Sequence, residues 1–585
     1  MSSVSARSTA FRSFPAPVSL TLIALFVAAC TTGPFAPTSP YADTVFYGEH
    51  IHTVDPATAG ANAVAIQGEE IVGVGAREDV ATLVGPETRV VELGERALVP
   101  GFIDAHGHFT MAMGFIDMLN ASSPPVGPMT SVEQIVEALS ARIAELAIPP
   151  GQTVAGYGYD DSLLAEGRHP TRDDLDRAST AHPIVLIHVS GHLAATNSMA
   201  LEIAGYDETT EDPYGGVIRR QPGTTIPDGV LEETAAHAAF APLLAAAASA
   251  SPREQARLVR RTIDYHAAYG ITTVQDGASS TEVAKGLALL ARFQPPAIDI
   301  AIFPAFHNEK DTSDLDVFGY SPEYRNGVRV AGVKFVLDGS PQGRTAWLTR
   351  PYDEGPPGAD PNYVAYPMVE PDDYKKQVKR VLEAGIPILA HANGDAAIDL
   401  MIEGIEEGLD GESRDHRSVT IHAQLAREDQ LDKMKALGIV PSFFAAHPFF
   451  WGDWHRKSFG DDRAMRISPL RSSLDRELPF TIHNDAPVVP PDMMLLMEIA
   501  MSRKTRDGVV LGEDQRVTFD EALYAITQGS AYQYFEEDRK GSITPGKRAD
   551  LVVLAQDPAA VPVDAVGEVG IVETFARGRS IYAAE

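Results

Sequence analysis

The chain has 585 residues, 44% hydrophobic and 22% charged, which is enough to bury a large core and exceeds the usual size of one compact domain. Its formal net charge of −32, from 48 basic and 80 acidic residues, leaves no basic stripe for a phosphate backbone and argues against nucleic acid as a partner. A single cysteine, Cys30, excludes an internal disulfide framework. At the start of the chain, Arg7 and Arg12 precede an apolar run over residues 18–29, too short for a membrane span but suited to a signal-peptide core.

That run closes on Val27-Ala28-Ala29-Cys30, which resembles the lipobox of bacterial lipoproteins. The resemblance implies a signal peptide over residues 1–30 and a lipid anchor on Cys30. The protein is then expected to be exported and membrane-attached, at the outer membrane or the periplasmic side. Residues 31–42, rich in Thr, Pro and Ser, read as a tether. Residues 43–99 carry short β-type runs at 44–46, 63–66 and 71–74, and residues 541–585 carry similar ones at 541–543, 549–554 and 572–582. Each set lacks partners of its own, so the two ends are expected to pair in one small β-sandwich.

Between them, over residues 100–540, apolar β-type runs alternate with helical patterns, as expected of repeated βα units. Eight such runs, at 97–105, 272–275, 298–304, 330–337, 386–390, 419–421, 439–443 and 480–482, predict an α/β fold of the (β/α)8 TIM-barrel type. The stretch 110–260 is too long for one crossover and has β-type runs of its own at 153–156 and 184–188, so it reads as an insertion over the barrel mouth.

Histidines and carboxylates fall at the C-terminal ends of these runs, the face on which barrel active sites are built. The first run ends in Asp104-Ala105-His106-Gly107-His108, where residues two apart in extended chain point the same way and both imidazoles reach one ion. His391 ends the fifth run, His422 the sixth, and the eighth enters His483-Asn484-Asp485. Imidazoles with a carboxylate suit Zn²⁺ first, with Mn²⁺, Fe²⁺ or Co²⁺ as alternatives. Lys334 sits inside the apolar fourth run, where a buried ammonium must be neutralised, paired or modified.

The order H-x-H, Lys, His, His, Asp resembles the binuclear amidohydrolases. The segments FVLDGSPQGRTA at 335–346, HANGDAA from His391, His422-Ala423-Gln424, Asn484-Asp485-Ala486-Pro487-Val488 and the closing GSITPGKRADL from Gly541 resemble amidohydrolase family 3, the branch that contains N-substituted formamide deformylase. The resemblance runs from residue 43 to the C-terminus. It implies one metal on His106, His108 and Asp485, a second on His391 and His422, and a CO2-carboxylated Lys334 bridging them. Asp485 would then act as the catalytic proton carrier.

The resemblance also points His188 and His192 of the insertion at the pocket. Arg344 is a candidate for binding a substrate oxygen, with a surface role as its alternative. Phe444 and Trp451, within the aromatic stretch 443–454, suggest an apolar portion in a small-molecule substrate. Asn484, Ile421 and Pro341-Gln342 depart from the branch's usual residues and bear on substrate, not on the ligands. Ester, lactone or carbamate hydrolysis, isomerisation, a non-catalytic lipid-anchored binding protein and a homo-oligomer all remain open at this level.

Overall fold

Apolar runs between turns become eight parallel strands in the computed structural model, which describes residues 40–584 except 214–215, 237, 241–242, 244–250, 310 and 357. Cys30, the expected signal peptide and nearly all of the tether lie outside the described residues. Among the described residues no helix is long and apolar enough to cross a membrane.

The strands are β1 (Phe102–Ile103), β2 (Ile271–Ser279), β3 (Asp299–Pro304), β4 (Val333–Val336), β5 (Ile388–Ala392), β6 (Val419–His422), β7 (Val440–Phe444) and β8 (Thr481–His483). β1, β2 and β3 pair in parallel, and so do β4 to β8 in succession. Ala305, just after β3, bridges to Lys334 of β4 and joins the two runs. On the other side the Asp485 N–H donates to His106 O at 3.0 Å and the His108 N–H to Ala486 O at 2.8 Å, which ties the end of β8 to the end of β1. Both faces of the strands are buried because helices such as Pro371–Glu383 and Asp395–Leu409 pack on the outside. The result is an α/β architecture of the TIM-barrel type.

Two expected strands are broken, each at a glycine where another part of the chain comes close. The run 97–105 splits at Gly101, whose missing Cβ leaves room for Thr272 at 2.6 Å. Ala97–Pro100 pairs antiparallel with Leu551–Leu554, and only Phe102–Ile103 enters the barrel. The run 330–337 splits at Gly332, where a Cβ would meet the Pro387 carbonyl oxygen at 2.3 Å. Val328–Val330 pairs with β3 while β4 pairs with β5. Residues 541–543 form no strand; the Ile543 N–H instead donates to Thr53 O at 2.8 Å.

Thr44–Tyr47, Ala63–Gln67, Glu70–Gly75 and Arg89–Glu92 form one four-stranded sheet. Ala97–Pro100, Leu551–Leu554, Ile571–Ala576 and Arg579–Ala583 form another. Phe46, Ile66, Val91, Leu98, Leu551 and Phe575 bury their side chains in a single cluster drawn from both sheets. Between β1 and β2 the chain builds a six-stranded sheet that includes Val154–Tyr159, Ile184–His188 and Leu193–Thr196.

At the N-terminal end of the strands, Asp299 opens β3 and is fully buried. Its carboxylate meets Lys540 Nζ at 2.5 Å, Arg548 at 2.7 Å and the Arg577 guanidinium. These cations hold it well below the usual carboxylate range against the opposing effect of burial.

Candidate metal centre

At the opposite end, β1 runs out into His106 and His108. Gly107 between them has no room for a side chain, since a Cβ would lie 2.5 Å from Asp104 Oδ2. His106 Nδ1 lies 2.5 Å from Gln275 Oε1, and Gln275 is oriented by its own amide N–H groups, which donate to Ala105 O and Tyr534 Oη, both at 2.7 Å. His108 Nδ1 lies 2.7 Å from Gly277 O. Each Nδ1 therefore carries the proton and donates it to an oxygen, leaving both Nε2 lone pairs facing inward, the arrangement an outer shell imposes on metal-ligating histidine.

Asp485 leaves β8 with φ of 58°, and His422 ends β6 with φ of 71°, left-handed conformations unusual for residues other than glycine and held by the surrounding strand ends. Asp485 Oδ1 lies 3.2 Å from His108 Nε2 and 3.5 Å from His106 Nε2, buried and with no hydrogen-bond partner. Lys334 Nζ is 3.1 Å from His106 Nε2. His391 Nδ1 and His422 Nε2 face each other at 3.2 Å, while His391 Nε2 is 3.2 Å from Gly339 O. His106, His422 and Asp485 each offer a ligand atom within 4.8 Å of the others. The six expected ligands thus converge on one region of the strand ends, and His422, expected beside His391, also lies within reach of His106 and Asp485.

Burial, reinforced by the Lys334 charge at His106 and His391 and by His391 at His422, drives all three imidazoles far below their ordinary pKa. They are neutral, the form that ligates metal. Burial also brings Lys334 down to about 7, so a large fraction is uncharged amine near neutrality.

Sequence reasoning missed several members of this region. His483 Nε2 lies 3.2 Å from His422 Nδ1, and its Nδ1 lies 2.8 Å from Ser442 Oγ. Its position at the end of the eighth run was the available signal. Asp338 is pushed up to about 7 by burial, against the lowering effect of the Asn393, Gly394 and Trp347 amides that it accepts, and so pins the β4 and β5 loops together. Gln275 had no signal beyond its place on a strand.

The expected substrate residues are dispersed. His192 Nδ1 is 2.8 Å from Glu233 Oε2 and its ring is 5.9 Å from that of His391, so it reaches the centre. His188 turns away to Asp161, 3.1 Å from its Nε2. Phe444 stacks on His483 with ring centroids 5.5 Å apart. Trp451 is buried and donates from Nε1 to Asp160 Oδ2 at 2.9 Å, tying helix His447–Phe459 to the segment between β1 and β2. Arg344 differs from its expected role: its guanidinium donates to Ser458 Oγ at 3.1 Å, Gly355 O at 2.8 Å and Glu354 Oε1 at 2.7 Å, and it lies over the Trp454 ring. With those donors engaged, Arg344 holds a loop instead of offering a fork to substrate.

Comparison with known proteins agrees with this arrangement. The chain is 27% identical over 541 residues to N-substituted formamide deformylase of Arthrobacter pascens, covering 92% of this chain and 97% of that one. It is 25% identical to the putative amidohydrolase YtcJ of Bacillus subtilis, covering 92% and 99%. An uncharacterized metal-dependent hydrolase of Pyrococcus horikoshii shares the fold, with a TM-score of 0.69 at 21% identity over 89% of this chain and 99% of that one. The family model described as Amidohydrolase family matches residues 89–582. The chain belongs to the amidohydrolase family.

Proposed function

We propose that the protein is a metal-dependent hydrolase that cleaves a C–N bond, amide or N-acyl, in a small molecule with an apolar portion. The observation that carries this reading is the Asp485 carboxylate. Its Oδ1 is buried without a hydrogen-bond donor and faces two imidazole Nε2 atoms whose opposite nitrogens are already committed to oxygens. Buried lone pairs in such opposition are costly unless a cation lies among them. The donor set suits Zn²⁺ first, with Mn²⁺, Fe²⁺ or Co²⁺ as alternatives.

In this reading His106, His108 and Asp485 hold one ion and His391 and His422 a second. Lys334 would join them as a shared ligand once carboxylated by CO2; its depressed pKa supports that modification because the neutral amine is the form that attacks CO2. A divalent ion at such a site supplies a water acidic enough to ionise near neutrality and polarisation of the scissile carbonyl. With the ions bound, Asp485 would serve as the proton carrier, taking up a proton at its carboxylate and delivering it to the leaving nitrogen. His192, anchored by Glu233, contributes a substrate contact from the insertion, and Phe444 lines the apolar portion. The similarity to a protein named as a formamide deformylase favours a nitrogen-linked acyl group.

The wider organisation belongs to the same proposal: residues 43–99 with 541–585 as a sandwich from both chain ends, 100–540 as the barrel, 110–260 as an insertion shaping its mouth, and Cys30 as the anchor of an exported protein. The test is metal analysis of the purified protein with turnover of matched amides and esters before and after chelation. Amide hydrolysis lost on chelation and restored by Zn²⁺ is expected. Turnover of esters alone would reassign the bond, and metal-independent turnover would remove the mechanism.

A further inference from the structure

We propose that the segment between β1 and β2 holds a divalent transition-metal site of its own, formed by Asp161, His169 and His188 and separate from the strand-end centre. His188 ends strand Ile184–His188, and Asp161 and His169 lie on the loop that follows strand Val154–Tyr159, so two adjacent strands bring the three together. His188 Nε2 lies 3.1 Å from Asp161 Oδ1 and His169 Nε2 lies 3.4 Å from Asp161 Oδ2. One ligand atom from each residue falls within 4.8 Å of the other two, a spacing that one ion spans.

The far side of each imidazole meets a hydroxyl, Ser190 Oγ at 2.8 Å from His188 Nδ1 and Tyr159 Oη at 3.1 Å from His169 Nδ1. Each hydroxyl can accept an Nδ1 proton and leave the Nε2 lone pair facing Asp161. The Ser190 N–H also approaches His188 Nδ1 at 3.2 Å and favours the opposite tautomer. The competing description is therefore a plain hydrogen-bonded Asp–His–His cluster.

Charge favours the ion. Around the cluster stand the carboxylates of Asp161, Asp160, Asp228 and Glu232, against Arg219, itself paired with Glu232, Arg220 acting on Asp228 and Arg506 acting on Asp160. Both histidines are buried while Asp161 is 22% exposed, which leaves a route for the ion and room for water ligands. Two imidazoles and one carboxylate with open positions suit Zn²⁺, with Co²⁺ as a spectroscopic substitute. The neighbouring Asp160 holds Trp451, which packs 5.9 Å from Phe444, so an ion here would brace the wall of the centre below.

The experiment uses full-length protein in which His106, His108, His391 and His422 are all replaced by Ala, stripped with chelator and titrated with Co²⁺ and Zn²⁺. One ion per chain is expected to remain, with a visible Co²⁺ spectrum and a rise in melting temperature on Zn²⁺ addition. Adding His169→Ala, or the milder Asp161→Asn, is expected to weaken that binding at least tenfold and abolish the thermal shift, with the far-ultraviolet circular dichroism unchanged. In the otherwise native chain, His169→Ala is expected to remove one ion. A four-Ala protein that is folded and binds no ion, or an ion content indifferent to both substitutions, overturns the proposal. If the strand-end centre is not a metal site, the four-Ala protein matches the native chain in ion content while His169→Ala still lowers it.

Discussion

The two ends of the barrel strands bury charge in opposite ways. At the N-terminal end, Asp299 is matched by Lys540, Arg548 and Arg577, and Lys540 is further held by Glu536 at 2.8 Å. At the C-terminal end, Asp485 has no hydrogen-bond donor for Oδ1, and among its neighbours His106 and His422 are imidazoles kept neutral by burial. One end is closed electrostatically within the protein, and the other is arranged for something that arrives from outside. A stable scaffold can afford the second arrangement because the first locks the base of the strands.

The sharpest break of this contrast is Asp485→Asn. Loss of the carboxylate should lower kcat by about 10²- to 10⁴-fold while the melting temperature of the metal-free protein stays level or rises. A clear drop in metal-free stability would show that Asp485 is a structural anion like Asp299. The converse substitution, Asp299→Asn, strands three cations and should cost about 3–5 kcal/mol of stability, read from denaturant unfolding. Metal content and kcat of the folded fraction should be unchanged, and a selective loss of either would erase the distinction between the ends.

The pH dependence sharpens the comparison away from any ligand. His266 is buried with Nδ1 2.7 Å from Thr262 O, and burial lowers it to about 4. Because the unfolded chain binds a proton there near pH 6.5 and the folded chain does not, its contribution is complete above about 6.5. It is lost as the pH falls toward about 4, up to roughly 3 kcal/mol. His266→Gln should flatten the stability profile over that window; an unaltered slope would mean the imidazole is not held neutral.

The smallest expected effect concerns selectivity. Phe444→Ala should reduce the preference for aryl over methyl acyl amides by about tenfold in kcat/KM. An unchanged ratio would make Phe444 a packing residue for the surrounding rings of His483, His447 and Trp451.

The convergence of side chains at the C-terminal strand ends was largely legible in the sequence because its signals are local. His106 and His108 share a side of one extended segment, and His391, His422 and Asp485 each follow an apolar run. What was not legible depends on contacts between distant residues. Gly101 and Gly332 break their strands because Thr272 and the Pro387 carbonyl occupy the space a side chain would need. Arg344 looked available because its partners, at 354, 355 and 458, are brought to it only by the fold. Gln275 fixes the His106 tautomer across a strand pair, which no spacing reveals.

The pairing of Ala97–Pro100 with Leu551–Leu554 bears on how the molecule is made. The segment that leads directly into the first barrel strand has its partner beyond the whole of the barrel sequence. Until those residues emerge, Ala97–Pro100 presents an apolar, unpaired edge, and β1 lacks one of the anchors that fix its entry into the barrel. Folding of the early part of the chain is therefore provisional until residues 551–554 have been made. A nascent or C-terminally clipped chain should be a client for chaperones that shield strand edges, even though most of its barrel sequence is present.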